Sequence, residues 1–364
     1  MHHHQLLGRD IASLLTGSWR ATPPVLRALN VHRLSALAPL VQGTGAGALA
    51  WWRVRASFLN RCDAARELHQ AFRLHTLQAV GHEQCLVRIV RRLREEGIEP
   101  IIVKGWSISR IYPSTGLRPY GDVDVCVPPG HVDATLAVLK GEGSSVGQVD
   151  VHAGVADLDD RSFDELYART QLVPLGEMPI RVLGMEDQLR HLALHLMRHG
   201  GWRPLWLCDL AALLDQVPAR FDWDYCLSGR PHLNDWVVAA LGLAGRLLEA
   251  NLQAVGPVRR AFEPRWLAHT VLGLWGFGPD SNDAVATPIL SSLRSWSQLQ
   301  RALRQRWPNP VRAAFKLGLS PFSRWPRPLV QTVAFFNRAT QYLRDWFQPV
   351  AASGPIGMHP LRVR

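Results

Sequence analysis

Along residues 62–96 the apolar positions Leu68, Phe72, Leu77, Cys85, Leu86, Ile89 and Leu93 return at helical spacing, with Arg and Glu between them. That period predicts a long amphipathic helix with a candidate break near Gly81. Gly97 closes it, and Glu99-Pro100 forms the turn that follows. The pattern then shifts to short runs. Ile101-Ile102-Val103 reads as a buried strand, 106–112 as a short helix stopped by Pro113, and 122–127 as a second strand closed by Pro128-Pro129-Gly130. A helix over 131–140 and a third strand over 148–155 complete an alternation of helices and strands, which predicts a layer of helices on a sheet.

On either side the signal is helical. Residues 34–52 carry no charge and are long enough to span a bilayer. Pro39, Gln42, Thr44 and the glycines 43, 45 and 47 interrupt them, so two short helices joined by a glycine loop are expected and no transmembrane segment. Beyond Pro179, residues 184–214 and 234–254 show long helical patterns with tryptophans. The expected organisation is an N-terminal helical segment (1–61), an α+β core (62–180), a helical domain (181–280) and a basic tail (281–364).

Composition changes this picture in two places. The five cysteines are odd in number and lack CxxC spacing, which argues against a disulfide framework or a zinc site. With no apolar leader in MHHHQLLGRD, a cytoplasmic setting is expected. The net charge of +11 is matched by residues 290–364, where twelve Lys or Arg face one acid, Asp345. Trp296, Trp307, Trp325 and Trp346 lie there among Arg301, Arg304, Arg306, Arg312, Lys316, Arg324 and Arg327. That mixture suits a polyanion or a membrane surface, and equally a solvated face over core tryptophans.

The candidate chemistry sits in the second strand. Side chains at i and i+2 of a strand share a face, so Asp122 and Asp124 point the same way. Paired carboxylates resist ionising together unless a cation lies between them, and Mg²⁺ is the hard ion that takes such oxygens while sharing its shell with phosphates. A bare DxD is a weak signal. It gains weight from Asp150, a third acid in an apolar strand, and from Lys104-Gly105-Trp106-Ser107 at a strand-to-helix junction, where backbone N–H groups suit a phosphate. Three carboxylates can hold two ions that clamp attacking and leaving oxygens, with Mn²⁺ as the alternative to Mg²⁺. Ser107 and the Gly105 turn would grip a triphosphate, while Arg118 and Lys104 would balance the leaving pyrophosphate.

The run IIVKGWSISRIYPSTGLRPYGDVDVCV resembles the signature of the uncharacterised nucleotidyltransferase family of the polymerase-β-like superfamily. The likeness continues through VDVH, through VLGMEDQLRHLALHLMRHGGWRPLWLCDLAALL and through FDWDYC, covering roughly residues 30 to 250. It implies an α+β fold: a small mixed sheet bearing metal-binding carboxylates, flanked by helices and followed by a helical domain that closes the cleft. It also implies transfer of a nucleoside monophosphate from an NTP, ATP among them, to an acceptor, with Asp122, Asp124 and Asp150 as metal ligands. Trp106 stands where many superfamily members have a phosphate-gripping serine.

Other residues carry two readings each. His191, His195 and His199 share one helix face, as zinc ligands in HxxxH or as packing and nucleotide-facing side chains beside Arg198. Asp209 is either a helix acid ion-paired to Arg203 or Arg198, or a substrate contact. His152 shares a strand face with Asp150 and either orients it, contacts substrate or is structural. For the whole chain the alternative to an enzyme is a non-catalytic nucleotide-binding or partner-recognition protein of a tailoring complex.

Overall fold

The computed structural model describes residues 2–26, 29–140, 149–253, 263–279 and 307–347. The chain opens with α1 (His2–Leu15), α2 (Val31–Gly43) and α3 (Gly47–Val54). The turn 44–46 separates the last two, with Gly45 at φ +80°, as the glycine-rich stretch predicts. Next comes α4 (Asp63–Glu95), one continuous helix. The break expected at Gly81 does not occur. A Cβ placed there would meet nothing within 4 Å, so no neighbour forces a kink, and a lone glycine costs only about 1 kcal/mol.

The sheet is built from β1 (Ile101–Val103), the one-turn helix α5 (Gly105–Ser109), β2 (Val123–Val127), α6 (Val132–Lys140) and β3 (Val149–Ala153). After α7 (Phe163–Ala168) a hairpin adds β4 (Gln171–Leu175) and β5 (Met178–Val182). The order is β3-β2-β1-β5-β4. β2 pairs with β3, and β1 with β5, in parallel; the other two pairings are antiparallel. This is the small mixed sheet of an α+β fold.

Alternation sorts the strand residues by face. Ile102, Val123, Val125, Val127, Val149 and Val151 pack with Leu86, Ile89, Val90 and Leu93 of α4. Trp106 joins the same core. The opposite face carries Asp124, Cys126, Asp150 and His152, beside Ile101 and Val103, which belong to the larger helical core.

That larger core is made by α8 (Met185–Arg198), α9 (Pro204–Leu214), α10 (Trp223–Cys226), α11 (Pro231–Leu248) and α12 (Arg265–Phe277), with the N-terminal helices. The helical pattern over 184–214 divides at Gly200 and Gly201, both at positive φ. α1 lies so close on α12 that a Cβ on Gly8 would stand 1.9 Å from the Leu272 carbonyl oxygen, and one on Gly276 would stand 1.8 Å from that of His4. Two tail helices follow, α13 (Pro310–Lys316) and α14 (Arg327–Phe347). Asn309 caps α13 and donates its amide to the Gly200 carbonyl at 3.0 Å, tying the tail to the end of α8.

Among the basic tail residues, Arg301, Arg304, Arg306 and Trp296 lie outside the described residues, as does the side chain of Trp346. Arg327 stacks over Trp266 at 4.1 Å, while Trp325 is exposed. Among the described residues no helix is long and apolar enough to cross a membrane.

Candidate active site

Register brings the acids together. In the parallel β2–β3 pair, Asp124 is the partner of Asp150 and Cys126 that of His152. Asp122 precedes β2 by one residue and stands exposed at the mouth of the same cleft. Ligand atoms of Asp124, Asp150 and His152 all lie within 4.8 Å of one another, a spacing that suits one metal ion.

Asp124 is buried, and its Oδ1 accepts from Lys104 Nζ at 2.9 Å and from His152 Nε2 at 2.9 Å. Burial alone would raise its pKa; the His152 hydrogen bond and the Lys104 charge reverse this and hold it at about 2. Asp122 goes the other way. Desolvation, then the nearby charges of Asp124 and Asp150, push its carboxyl up. A cation near these acids would relieve that repulsion. His152 hydrogen-bonds Asp124 rather than Asp150: its register partner is Cys126, two residues along β2 from Asp124 and on the same face.

Two backbone features place these groups. Lys104 has φ +49° and ψ −134°, a region that non-glycine residues rarely enter. This strained turn between β1 and α5 delivers its ammonium to Asp124. Gly105 permits close packing: a Cβ there would stand 3.2 Å from the Asp122 carbonyl oxygen and 3.3 Å from the Tyr120 ring. The absence of a side chain lets loop 120–122 settle on α5 and sets Asp122 at the rim.

Other expected nucleotide contacts lie differently. Ser107 is buried, and its hydroxyl donates to the Lys104 carbonyl at 2.7 Å instead of facing the cleft. Arg118 lines the cleft, but its guanidinium is committed to Asp209 at 2.8 Å, a buried pair that also accepts from Tyr112 Oη at 2.8 Å. Asp209 thus pairs with Arg118, not with Arg203 or Arg198. It lies well inside α9 rather than at its start, so the helix terminus plays no part in holding it.

The cleft has a volume of about 450 Å³, and its far wall is α8 with the start of α9. That wall is organised by Asp157, an acid in the turn after β3. Asp157 is buried, with Arg198 Nε at 2.6 Å, His195 Nδ1 at 3.1 Å and His191 Nδ1 at 3.5 Å. Burial would raise its carboxyl, but the His195 hydrogen bond and its basic neighbours hold it far below the usual range. The histidine row answers to Asp157 and to Trp206, whose ring lies 4.9 Å from His195 and 5.2 Å from His199. Burial keeps His191 and His199 neutral, each lowered to about 3. Asp157, Trp206 and Arg203 carry no local motif, since only tertiary packing brings them to the cleft.

Residues 30–249, more than half of the chain, match a family model described as an uncharacterised nucleotidyltransferase. No curated protein and no solved structure matches the chain.

Proposed function

The chain belongs to this nucleotidyltransferase family, and from that premise we propose that it moves a nucleoside monophosphate from an NTP to an acceptor in a Mg²⁺-dependent reaction at Asp122, Asp124 and Asp150. The observation that carries the reading is the register of β2 and β3, which sets Asp124 against Asp150 inside the cleft and Asp122 at its mouth. Carboxylate oxygens suit Mg²⁺, with Mn²⁺ as a substitute. A bound divalent ion, or two, supplies Lewis-acid stabilisation of phosphoryl charge and acidifies the acceptor hydroxyl.

The chain's own groups divide the remaining work. Lys104 and His152 fix Asp124 in its ionised form. Asp150, half-buried next to it, is placed to take the proton of the acceptor hydroxyl as that oxygen attacks the α-phosphorus. The bond to the β-phosphate oxygen breaks, and pyrophosphate leaves. Lys104, on the carboxylate side, adds positive charge beside the reacting group, and Arg118, pinned by Asp209, lines the same cleft. The acceptor is a small hydroxylated molecule, a glycan intermediate or a peptide. Five free cysteines favour a cytoplasmic setting.

The test is to mix the protein with each labelled NTP and Mg²⁺, beside a double variant, Asp122→Ala with Asp124→Ala. Binding that requires Mg²⁺ and disappears in the double variant supports transfer chemistry at these acids. Binding that ignores both metal and substitution would favour a recognition protein that only borrows the fold.

A further inference from the structure

Three of the four lysine or arginine side chains in the cleft are matched by an acid. Lys104 has Asp124 at 2.9 Å, Arg118 has Asp209 at 2.8 Å and Arg198 has Asp157 at 2.6 Å. The fourth, Arg203, lines the same cleft and has no carboxylate within ion-pair distance among the described residues. Its one hydrogen bond among those residues runs from Nε to the Thr44 carbonyl at 3.2 Å, leaving both terminal nitrogens without a protein acceptor. Burial, then the charge of Arg118, lowers it to about 10.

The fold nevertheless builds a seat for this cation. The guanidinium lies 5.0 Å from the centre of the Trp206 ring and 5.5 Å from that of Trp202. Beneath it is Gly45, at φ +80°, where a Cβ would come within 2.6 Å of Arg203 Nη2. The glycine turn between α2 and α3 therefore serves the cleft, giving Arg203 room and a carbonyl to lean on. A half-buried guanidinium in a cleft, held by ring faces and without a counter-ion, is a ready seat for an anionic ligand.

We propose that Arg203, seated by Gly45 and Thr44, is the anion-binding residue for the terminal phosphates of the NTP, the part that leaves as pyrophosphate. This rests on the nucleotidyl-transfer reading and names the side of the cleft where the polyphosphate lies. A planar guanidinium with two free N–H edges matches phosphate oxygens in pairs. The carboxylates then face the α-phosphate from the β2–β3 side, with the scissile bond between the two walls. A phosphorylated acceptor is the other source of the same anion.

The probes are inorganic pyrophosphate, each NTP and the matching nucleoside monophosphates, all with Mg²⁺ and measured calorimetrically. Arg203→Ala is expected to weaken pyrophosphate and NTP roughly 10- to 100-fold and to change monophosphate binding less than about 2-fold. Arg203→Lys is expected to recover part of the loss. Gly45→Ala, which displaces the guanidinium, is expected to show the same selective loss. Because Arg203 has no acid to lose, Arg203→Ala is expected to unfold at the same urea concentration as the wild type or a higher one.

Unchanged pyrophosphate and NTP affinity in Arg203→Ala would overturn the assignment and leave the transfer reading intact. Selective loss of a phosphomonoester would move Arg203 to the acceptor side and likewise overturn it. Failure of the wild type to bind any NTP or pyrophosphate would bring down the transfer reading, and this assignment with it.

Discussion

Lys104 concentrates the cost of the site in one residue. Its φ of +49° with ψ −134° belongs to glycine, yet the position holds a lysine whose amine reaches Asp124. Glycine and alanine both remove the amine, and only glycine also removes the strain. Lys104→Gly is therefore expected to be more stable than Lys104→Ala by about 1–2 kcal/mol, with both losing transfer activity; urea denaturation checks the first and labelled-NTP turnover the second. Equal stability would show that no strain is stored there. The Arg118–Asp209 pair makes the opposite case, since both side chains are buried and Tyr112 also depends on the acid. Arg118→Met is expected to cost about 3–5 kcal/mol by stranding Asp209, measured as a lowered unfolding midpoint. That Asp124 and Asp150 meet was legible in the sequence, because an acid in an apolar strand is a local signal; Asp122, expected inside the second strand, lies just before it and is exposed. Asp157 and Arg203 were not legible, because what marks them is the company they keep after folding.

At the scale of elements, α8 and its C-cap His199 carry the pH response. His191 and His199 lie near 3 against an ordinary 6.5, held neutral by burial. Below about pH 6.5 the unfolded chain binds two protons that the folded chain refuses, so stability falls as pH falls. The slope approaches about 1.4 kcal/mol per pH unit for each histidine. Asp124, lowered to about 2, adds a loss in the same direction only below its unfolded value near 4. Denaturation midpoints between pH 7.5 and 5 are expected to drop, and His191→Gln to flatten the drop; a flat profile in the wild type contradicts this. The α1–α12 contact offers a second element-scale test. Gly276→Ala places a methyl on the His4 carbonyl and is expected to destabilise by about 1–3 kcal/mol, read from urea unfolding. α4 and α6 were readable from the sequence, while α5 ends at Ser109, short of the expected 112, and α7 falls where no element was expected. The β4–β5 hairpin was hidden because Pro174 and Pro179 broke the alternation, yet the two face each other in register, so both missing donors fall on one pair.

Across the whole molecule, segments distant in sequence converge on one cleft. β2 and β3 bring the acids, α8 and α9 the basic and aromatic wall, and the turn after α2 the seat of Arg203. Asn309, in the basic tail, fastens the Gly200 turn at the end of α8. The glycine loop at 43–47 was visible in the sequence as a loop, but its role was not, because its partner lies some 160 residues away. Trp236, in the tryptophan-bearing helical pattern over 234–254, and Trp275, farther along the expected helical domain, are core residues with their indole N–H groups bound to carbonyls. The central claim is that Asp122, Asp124 and Asp150 hold a divalent ion together with a nucleotide. Titration with Mn²⁺ followed by electron paramagnetic resonance, with and without NTP, tests it most directly. The expected result is saturable Mn²⁺ binding that tightens when NTP is present and is lost in Asp124→Asn. No Mn²⁺ uptake by the wild type under either condition, or undiminished uptake by Asp124→Asn, would contradict it.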